Sequence, residues 1–172
     1  LLAAVVRDRL DPRVHDTEDT ARVGAVPVLL DLSSARTADG SGPGLLTDAE
    51  PGGQHANEFA HLARARLSGA SPVTDTGDDA DDRPVPGHVL VVAGTTPGRA
   101  GTAAAVNLAA ALARTGSPTL LVCADPRTDA AEVLLDLPPG PGLTEVLVDG
   151  EDPADLEARP TAVPRLSVLR HG

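Results

Sequence analysis

A strand–helix–strand pattern in the second half of the chain constrains the fold more than any other feature. Val89 to Ala93 is a continuous apolar run, Thr102 to Arg114 is rich in Ala and Leu, and Thr119 to Ala124 is a second apolar run. Gly116 follows the helical stretch, as at many helix ends. This order predicts a βαβ crossover, which is nearly always right-handed and builds a parallel sheet.

The remaining residues of this half continue the alternation. Asp129 to Leu137 and Leu143 to Val148 are predicted as short helices, separated by the Pro/Gly-rich residues 138–142. Leu166 to Arg170 is predicted as a third parallel strand. Residues 88–172 are therefore expected to form the α/β core of the chain, an incomplete doubly wound parallel sheet.

The first half is predicted to consist of segments that differ in composition. They are a helix followed by an extended apolar run (residues 1–32), a flexible Gly/Ser/Asp-rich loop (33–53), a helix (54–70) and an acidic Pro-rich linker (71–87). The N-terminal helix is expected over residues 1–10, and Val26 to Leu32 is the extended run. Asn57 is predicted to cap the helix that covers Glu58 to Leu67.

Composition excludes several classes of protein. The formal net charge of −11 argues against a nucleic-acid partner, because such affinity depends on cations that neutralise phosphates. Cys123 is the only cysteine, which excludes an intrachain disulfide and a thiolate metal cluster and fits a reducing compartment. Phe59 is the only aromatic residue, so the core must be packed from Ala, Val and Leu.

The apolar residues Leu1 to Val6 are too few to span a bilayer. Arg7, Arg9 and Arg13 follow them, as where a membrane helix leaves the bilayer on the cytoplasmic side. We therefore expect this segment to be either the end of a transmembrane helix or the buried face of an amphipathic helix.

The loop between the first predicted strand and the helix, Gly94 to Thr102, is rich in glycine and lies between a strand and a helix start, as a phosphate-binding loop does. In a working loop, G-x-x-x-x-G-K-[ST], backbone N–H groups cradle the phosphates, the lysine reaches the terminal phosphates and the hydroxyl holds Mg²⁺. Here Ala100 and Gly101 replace the second glycine and the lysine. The missing charge-assisted hydrogen bond would contribute about 1.5 to 3 kcal/mol. The core is therefore expected to be P-loop NTPase-like, or Rossmann-like, with a degenerate phosphate site.

The replacement of the lysine leaves several alternatives open for this loop. All 14 basic residues are arginine, so a general composition bias could also account for Gly101. Arg99 could supply a cation, although a guanidinium is not interchangeable with an ammonium in a tight loop. The helix start at Thr102 still offers N–H donors to an anion.

Two stretches of this region carry a resemblance to a known family. Pro97 to Thr102 and Asn107 to Ala113 resemble the Pro-Gly-x-Gly-Lys-Ser-Thr loop and the following Asn-Leu-Ala-Ala-Ala-Leu-Ala-like helix of bacterial tyrosine kinases. These kinases are the cytoplasmic domains associated with polysaccharide co-polymerases and are related to partition and cell-division ATPases. The resemblance implies a nucleotide-binding fold in which the lysine has been lost.

The next strand continues the resemblance. Leu120 to Arg127 is similar to the family's second acidic motif, Leu-Leu-Val-Asp-x-Asp-x-Arg, with Asp125 and Arg127 matching and Cys123 at the first aspartate. In the family these aspartates help to organise Mg²⁺ and the attacking hydroxyl, so a thiol there removes a hard oxygen ligand. We interpret Cys123 as a small strand residue. Pro141 to Leu147 resembles the family's Pro-Gly-Leu-x-x-x-Leu segment, which carries no chemistry.

Two further matches lie upstream. Glu58, His61 and Arg64 resemble the Glu-x-x-Arg-x-x-Arg helix through which the family forms rings, with His61 replacing the first arginine. Their spacing places them along one helical face, and the alternative is a solvated surface. Arg7 to Pro27 resembles the juxtamembrane stretch after the family's second membrane helix, which favours the membrane interpretation of the N-terminal segment.

The resemblance implies a degenerate nucleotide site without catalytic residues. Its candidate members are Gly94, Pro97, Gly98, Arg99, Gly101, Thr102, Asp125 and Arg127. No cofactor is expected, but if Mg-ATP binds, Thr102 and Asp125 would be the metal ligands. The family's Walker B strand and Tyr-rich tail would follow Gly172, and the chain contains no Tyr.

The function implied is that of a catalytically inactive domain at the cytoplasmic face of the membrane. Its role would be structural or regulatory, in the biosynthesis, export or chain-length control of a surface polysaccharide. Membrane-embedded export or co-polymerase components and further copies of the chain are the expected partners. The alternatives are a weak ATPase or tyrosine kinase completed by a partner subunit, and a truncated relic without function.

Overall fold

The computed structural model describes residues 27–32, 44–49, 52–68, 88–94, 99–149 and 158–172. The chain divides into two compact units, Leu1–Asp31 and Leu32–Gly172. In the first unit residues 27–31 are described; they contain no strand, and Val28 and Leu29 are exposed. The predictions for residues 1–26 and 71–87 lie outside the described residues.

The second unit is a mixed α/β structure. Its elements in chain order are α1 (Leu46–Ala49), α2 (Gln54–Ser68), α3 (Ala100–Arg114), β1 (Thr119–Val122), α4 (Ala130–Leu135), α5 (Leu143–Asp149), β2 (Arg159–Pro160) and β3 (Leu166–Leu169). The strands form a mixed sheet in the order β1-β3-β2. None of the described helices is both long and apolar enough to cross a bilayer.

The central pair of the sheet is parallel, as predicted. β1 and β3 pair with Thr119 opposite Leu166 and Val122 opposite Leu169, and the two residues of β2 run antiparallel to β3. Leu166 and Val168 are buried. On β1, by contrast, the alternate residues Leu120 and Val122 are exposed, so one face of this strand has no cover among the described residues.

Helix α3 is the centre of the core. Ala103, Val106, Ala110 and Ala113 recur every three or four positions and are almost fully buried, the spacing that places side chains on one helical face. Because most of these side chains are methyl groups, neighbouring elements can approach α3 closely, and α2, α4 and β1 pack against it. The helices predicted over α3, α4 and α5 are confirmed, and Gly116 has the positive φ of +98° that favours glycine after a helix.

Residues 44–49 correct the loop predicted over residues 33–53. Leu45 and Leu46 are only 3% and 7% exposed, and α1 begins there. Asn107, buried in α3, holds this turn because its Oδ1 accepts the backbone N–H of Thr47 at 3.3 Å. The composition of the loop is polar, but its adjacent leucines fill the core, so the prediction was wrong for this part.

The start of α2 also differs from the prediction. The helix begins at Gln54 and Asn57 lies inside its first turn, where its side-chain Nδ2 donates to the carbonyl of Gly52 at 3.0 Å. Asn57 therefore fastens the chain before the helix instead of capping it. Phe59 and Ala63, one turn apart, are the buried residues of α2.

The strand predicted over Val89 to Ala93 is not present. Residues 88–94 have no regular secondary structure, and Val89 and Val91 are 89% and 88% exposed. β1 and β3 pair directly with each other, and no described strand lies beside residues 88–94. The expected crossover around α3 is therefore absent, and the parallel connection in the structure joins β1 to β3.

Candidate functional site at the carboxyl ends of the parallel strands

Charged side chains collect where the two parallel strands end. β1 is followed by Cys123 and Asp125, and β3 is followed by Arg170 and His171. Because β1 and β3 are parallel, both carboxyl ends lie at the same edge of the sheet. In open α/β sheets this edge is where ligands bind.

Asp125 and Arg127 form a bidentate ion pair at this edge. Arg127 donates from Nε to Oδ1 at 2.8 Å, from Nη2 to Oδ2 at 2.9 Å and from its backbone N–H to Oδ1 at 3.1 Å. These hydrogen bonds lower the pKa of Asp125 from 3.8 to about 2. Both oxygens of the predicted Mg²⁺ ligand are thus already bonded to a guanidinium.

Arg99 is paired across two helices. Its Nη2 lies 2.6 Å from Oδ1 of Asp129, which joins the residue before α3 to the residue before α4. The two side chains are 37% and 60% exposed, and exposed pairs of this kind typically contribute 0 to about 1 kcal/mol. The arginine considered as a substitute for the lysine is therefore held by a carboxylate, in a contact that costs little to break.

A buried charge cluster lies beneath these pairs, and the sequence did not predict it. Glu132, in the first turn of α4, places Oε1 3.5 Å from Nε of Arg170 and 3.3 Å from Nδ1 of His171. Neither contact has hydrogen-bond geometry, so these buried atoms of Glu132, Arg170 and His171 have no hydrogen-bond partner among the described residues. Arg170 also donates from Nη1 to the carbonyl of Pro138 at 2.8 Å.

One sequence signal pointed to part of this cluster. Arg170 ends a predicted parallel strand and His171 directly follows it, the position at which site residues collect. Glu132 gave no such signal, because its place opposite Arg170 depends on how α4 packs.

The thiol of Cys123 is unreactive in these surroundings. Burial, with a smaller contribution from the negative charge of Glu132, raises its pKa from 9.0 to about 11. The thiolate is the nucleophilic form of cysteine. Cys123 lies directly after β1 and packs against the core cluster, in agreement with its interpretation as a small structural residue, although the strand ends one residue earlier.

The predicted phosphate loop is described at its two ends. Gly101, in the first turn of α3, lies so close to Gly94 that a Cβ at position 101 would be 3.0 Å from Cα and 3.3 Å from N of Gly94. A lysine at position 101 would therefore require the backbone at Gly94 to move. Thr102 is half-buried in α3, and Pro97 and Gly98 lie outside the described residues.

The three residues predicted to mediate oligomerisation lie on α2. Glu58 accepts a hydrogen bond from Gln54 Nε2 at 2.8 Å and lies 3.3 Å from Nδ1 of His55. His61 and Arg64 are exposed. The structure thus places Glu58 in contacts within its own helix and leaves the other two side chains on the surface.

The residues that the structure describes contain no group of three His, Cys, Asp or Glu side chains that could hold a metal ion. Comparison with known proteins gives no relative, since no protein-family model and no curated protein matches the chain.

Proposed function

We propose that the chain is a non-catalytic, P-loop-like cytoplasmic domain with a structural or regulatory role in making or exporting a surface polysaccharide. It would act at the membrane through contacts with export or co-polymerase components. The resemblance of its loop, helix and acidic motif to bacterial tyrosine kinases supports the biological setting. The charge balance of the candidate site supports the lack of catalysis.

That charge balance is the observation on which the proposal depends. Three arginines at this edge are each matched by a carboxylate: Arg127 by Asp125, Arg99 by Asp129 and Arg170 by Glu132. A nucleoside triphosphate carries several negative charges and needs a surplus of cations or a metal ion to hold them. Three of the guanidinium groups here are already paired, and the lysine that would add a further cation is missing.

The contact between Gly94 and Gly101 supports the same conclusion. The lysine is missing, and the backbone leaves little room for any side chain at position 101. The loop thus lacks the lysine that would contact a phosphate, and it also lacks the space for such a side chain.

Thermal unfolding with Mg-ATP tests the lack of nucleotide binding. A ligand at 100 times its Kd should stabilise the fold by about 2.7 kcal/mol. We expect no shift of Tm at millimolar Mg-ATP. A shift that requires Mg²⁺ would contradict the proposal.

One observation favours a weak ATP site as the second candidate. The Arg99–Asp129 pair is exposed, so Arg99 could exchange Asp129 for a phosphate at little cost. Asp129→Asn would weaken this contact of Arg99, whereas Asp136→Asn removes an equal charge at the other end of α4. Binding of Mg-ATP that improves in Asp129→Asn alone would support this candidate, and equal behaviour of the two variants would exclude a role for Arg99.

The biological role is tested by deletion and complementation in the organism that encodes the chain. We expect deletion to change the amount or the chain length of a surface polysaccharide. Thr102→Ala, which removes the hydroxyl at the position of the Mg²⁺ ligand, should complement as well as the wild type. Normal polysaccharide after deletion would contradict the role, and failure of Thr102→Ala would contradict the nucleotide-independent mechanism.

A further inference from the structure

A second concave site lies away from the carboxyl edge of the sheet. It is an open cleft of about 580 Å³ between α1, the first part of α2 and the end of α3. Its polar lining residues are Thr47, Asp48, Asn57, Arg64, Arg114 and Thr115. Sites for small molecules usually have volumes of about 300 to 1,000 Å³, so the cleft is large enough for one.

One wall of the cleft is held in place by Arg114. Its guanidinium donates from Nη1 to Thr47 Oγ1 and from Nη2 to Asp48 Oδ1. The backbone N–H of Thr47 is bonded in turn to buried Asn107. These contacts fasten α1 to α3 and use part of the hydrogen-bonding capacity of Arg114.

Arg64 lies on the opposite wall of the cleft, and its contacts differ from those of Arg114. Its side chain is exposed, and it has no hydrogen bond or ion pair to any residue that the structure describes. Asn57, two turns earlier on α2, uses Nδ2 to hold Gly52, which leaves its Oδ1 available to the cleft. The cleft therefore contains one fully available guanidinium.

The net charge of the residues that line the cleft is opposite in sign to the net charge of the whole chain. Arg64 and Arg114 outnumber Asp48, so the lining carries a surplus of positive charge in a chain whose net charge is −11. A free guanidinium presents a planar fork of donors that fits a carboxylate or a phosphate bidentately.

We propose that this cleft binds a small organic anion through a carboxylate or phosphate group held by Arg64. Arg114 forms the opposite wall, where Asp48 balances its charge, and the amide oxygen of Asn57 accepts a hydrogen bond from a hydroxyl of the same ligand. This site is separate from the degenerate loop, and its occupation requires no nucleotide.

Titration of the ¹⁵N-labelled full chain with sodium phosphate and with sodium citrate, at constant ionic strength set by sodium chloride, tests the proposal. We expect saturating shifts of the backbone amides of Asn57 and Thr115 with at least one of the two probes. Saturation with phosphate alone assigns a phosphate ligand, and saturation with citrate alone assigns a carboxylate ligand. No saturation with either probe would overturn the proposal.

Matched variants show whether Arg64 carries the binding. Losing one charge-assisted hydrogen bond of about 1.5 to 3 kcal/mol should weaken binding about tenfold or more in Arg64→Gln. Arg66→Gln, on the same helix and exposed but outside the cleft, should bind as the wild type does. Equal affinity of the two variants, with unchanged helix content, would overturn the assignment to Arg64.

Discussion

Glu132 and Arg170 are paired at 3.5 Å in the interior of the protein, where their side chains are only 9% and 7% exposed. Burial of two ions is expensive, and their mutual attraction offsets that cost only while both are present. Glu132 lies in α4 and Arg170 follows β3, so the pair joins the helix that follows β1 to the end of the neighbouring strand.

A double-mutant cycle should show strong coupling between these two residues. Glu132→Leu or Arg170→Leu alone leaves one buried charge without its partner and should lower the free energy of unfolding by about 3 to 5 kcal/mol. The double variant should regain at least half of that loss. Urea unfolding measures the four free energies, and additive losses would show that the pair does not stabilise the fold.

Gly142→Ala should be strongly destabilising. A Cβ at position 142 would lie 2.5 Å from the carbonyl oxygen of Arg170 and 2.6 Å from the backbone N of Gly172, and overpacking of this kind typically costs about 1 to 3 kcal/mol. Gly140→Ala is the matched control, because its Cβ would meet the side-chain ends of Arg159 and Arg170 at 3.1 and 3.2 Å. Equal Tm values for the two variants would contradict this geometry.

Asp136→Gly should stabilise the protein by about 0.5 to 1 kcal/mol. Asp136 ends α4 with φ 51° and ψ 48°, and Leu137 N donates to Glu132 O at 2.9 Å, the helix ending in which glycine is favoured. Thr115→Gly is the control, because Thr115 ends α3 with a right-handed backbone and should lose stability. Thermal unfolding compares the two, and a lower Tm for Asp136→Gly would contradict the prediction.

Stability should fall in alkali because of Cys123. The thiol of the unfolded chain ionises near its ordinary value of 9.0, whereas in the folded protein burial and Glu132 raise its pKa to about 11. Between these values the unfolded state has lost a proton that the folded state keeps, so the free energy of unfolding decreases as pH rises from 9 to 11. The contribution is complete below pH 9.

Cys123→Ala provides the comparison for that pH dependence. Urea unfolding of the variant should show a smaller decrease between pH 9 and pH 11 than the wild type does. Alkylation of the native thiol by iodoacetamide should have a midpoint near pH 11. A midpoint near pH 9 would show that Cys123 is not shielded as described.

The sequence predicted the elements whose signals are local. The Ala/Leu-rich run Thr102 to Arg114 indicated helix α3, and the apolar runs at β1 and β3 indicated parallel strands. Gly116 marked a helix end because its positive φ suits glycine. Each of these signals depends on residues within one element or directly after it.

The failures depend on partners that are distant in sequence. Val89 to Ala93 is as apolar as a buried strand, but a strand also needs a neighbour with which to form backbone hydrogen bonds, and the apolar run does not identify one. Leu45 and Leu46 were missed because the surrounding composition is polar, and Leu45 packs in a core cluster built from residues of α3 and α4. The pairing of Glu132 with Arg170 likewise exists only after α4 has packed near β3.

The exposed face of β1 has a consequence for the behaviour of the protein in solution. Leu120 and Val122 are 54% and 46% exposed, and Val89 and Val91 are also open to solvent, so the surface includes apolar groups of the kind through which proteins adhere to one another. The net charge of −11 opposes such contacts by repulsion between copies. In about 1 M salt the screening length shrinks to about 3 Å. The repulsion between copies is then screened, so we expect the folded chains to associate.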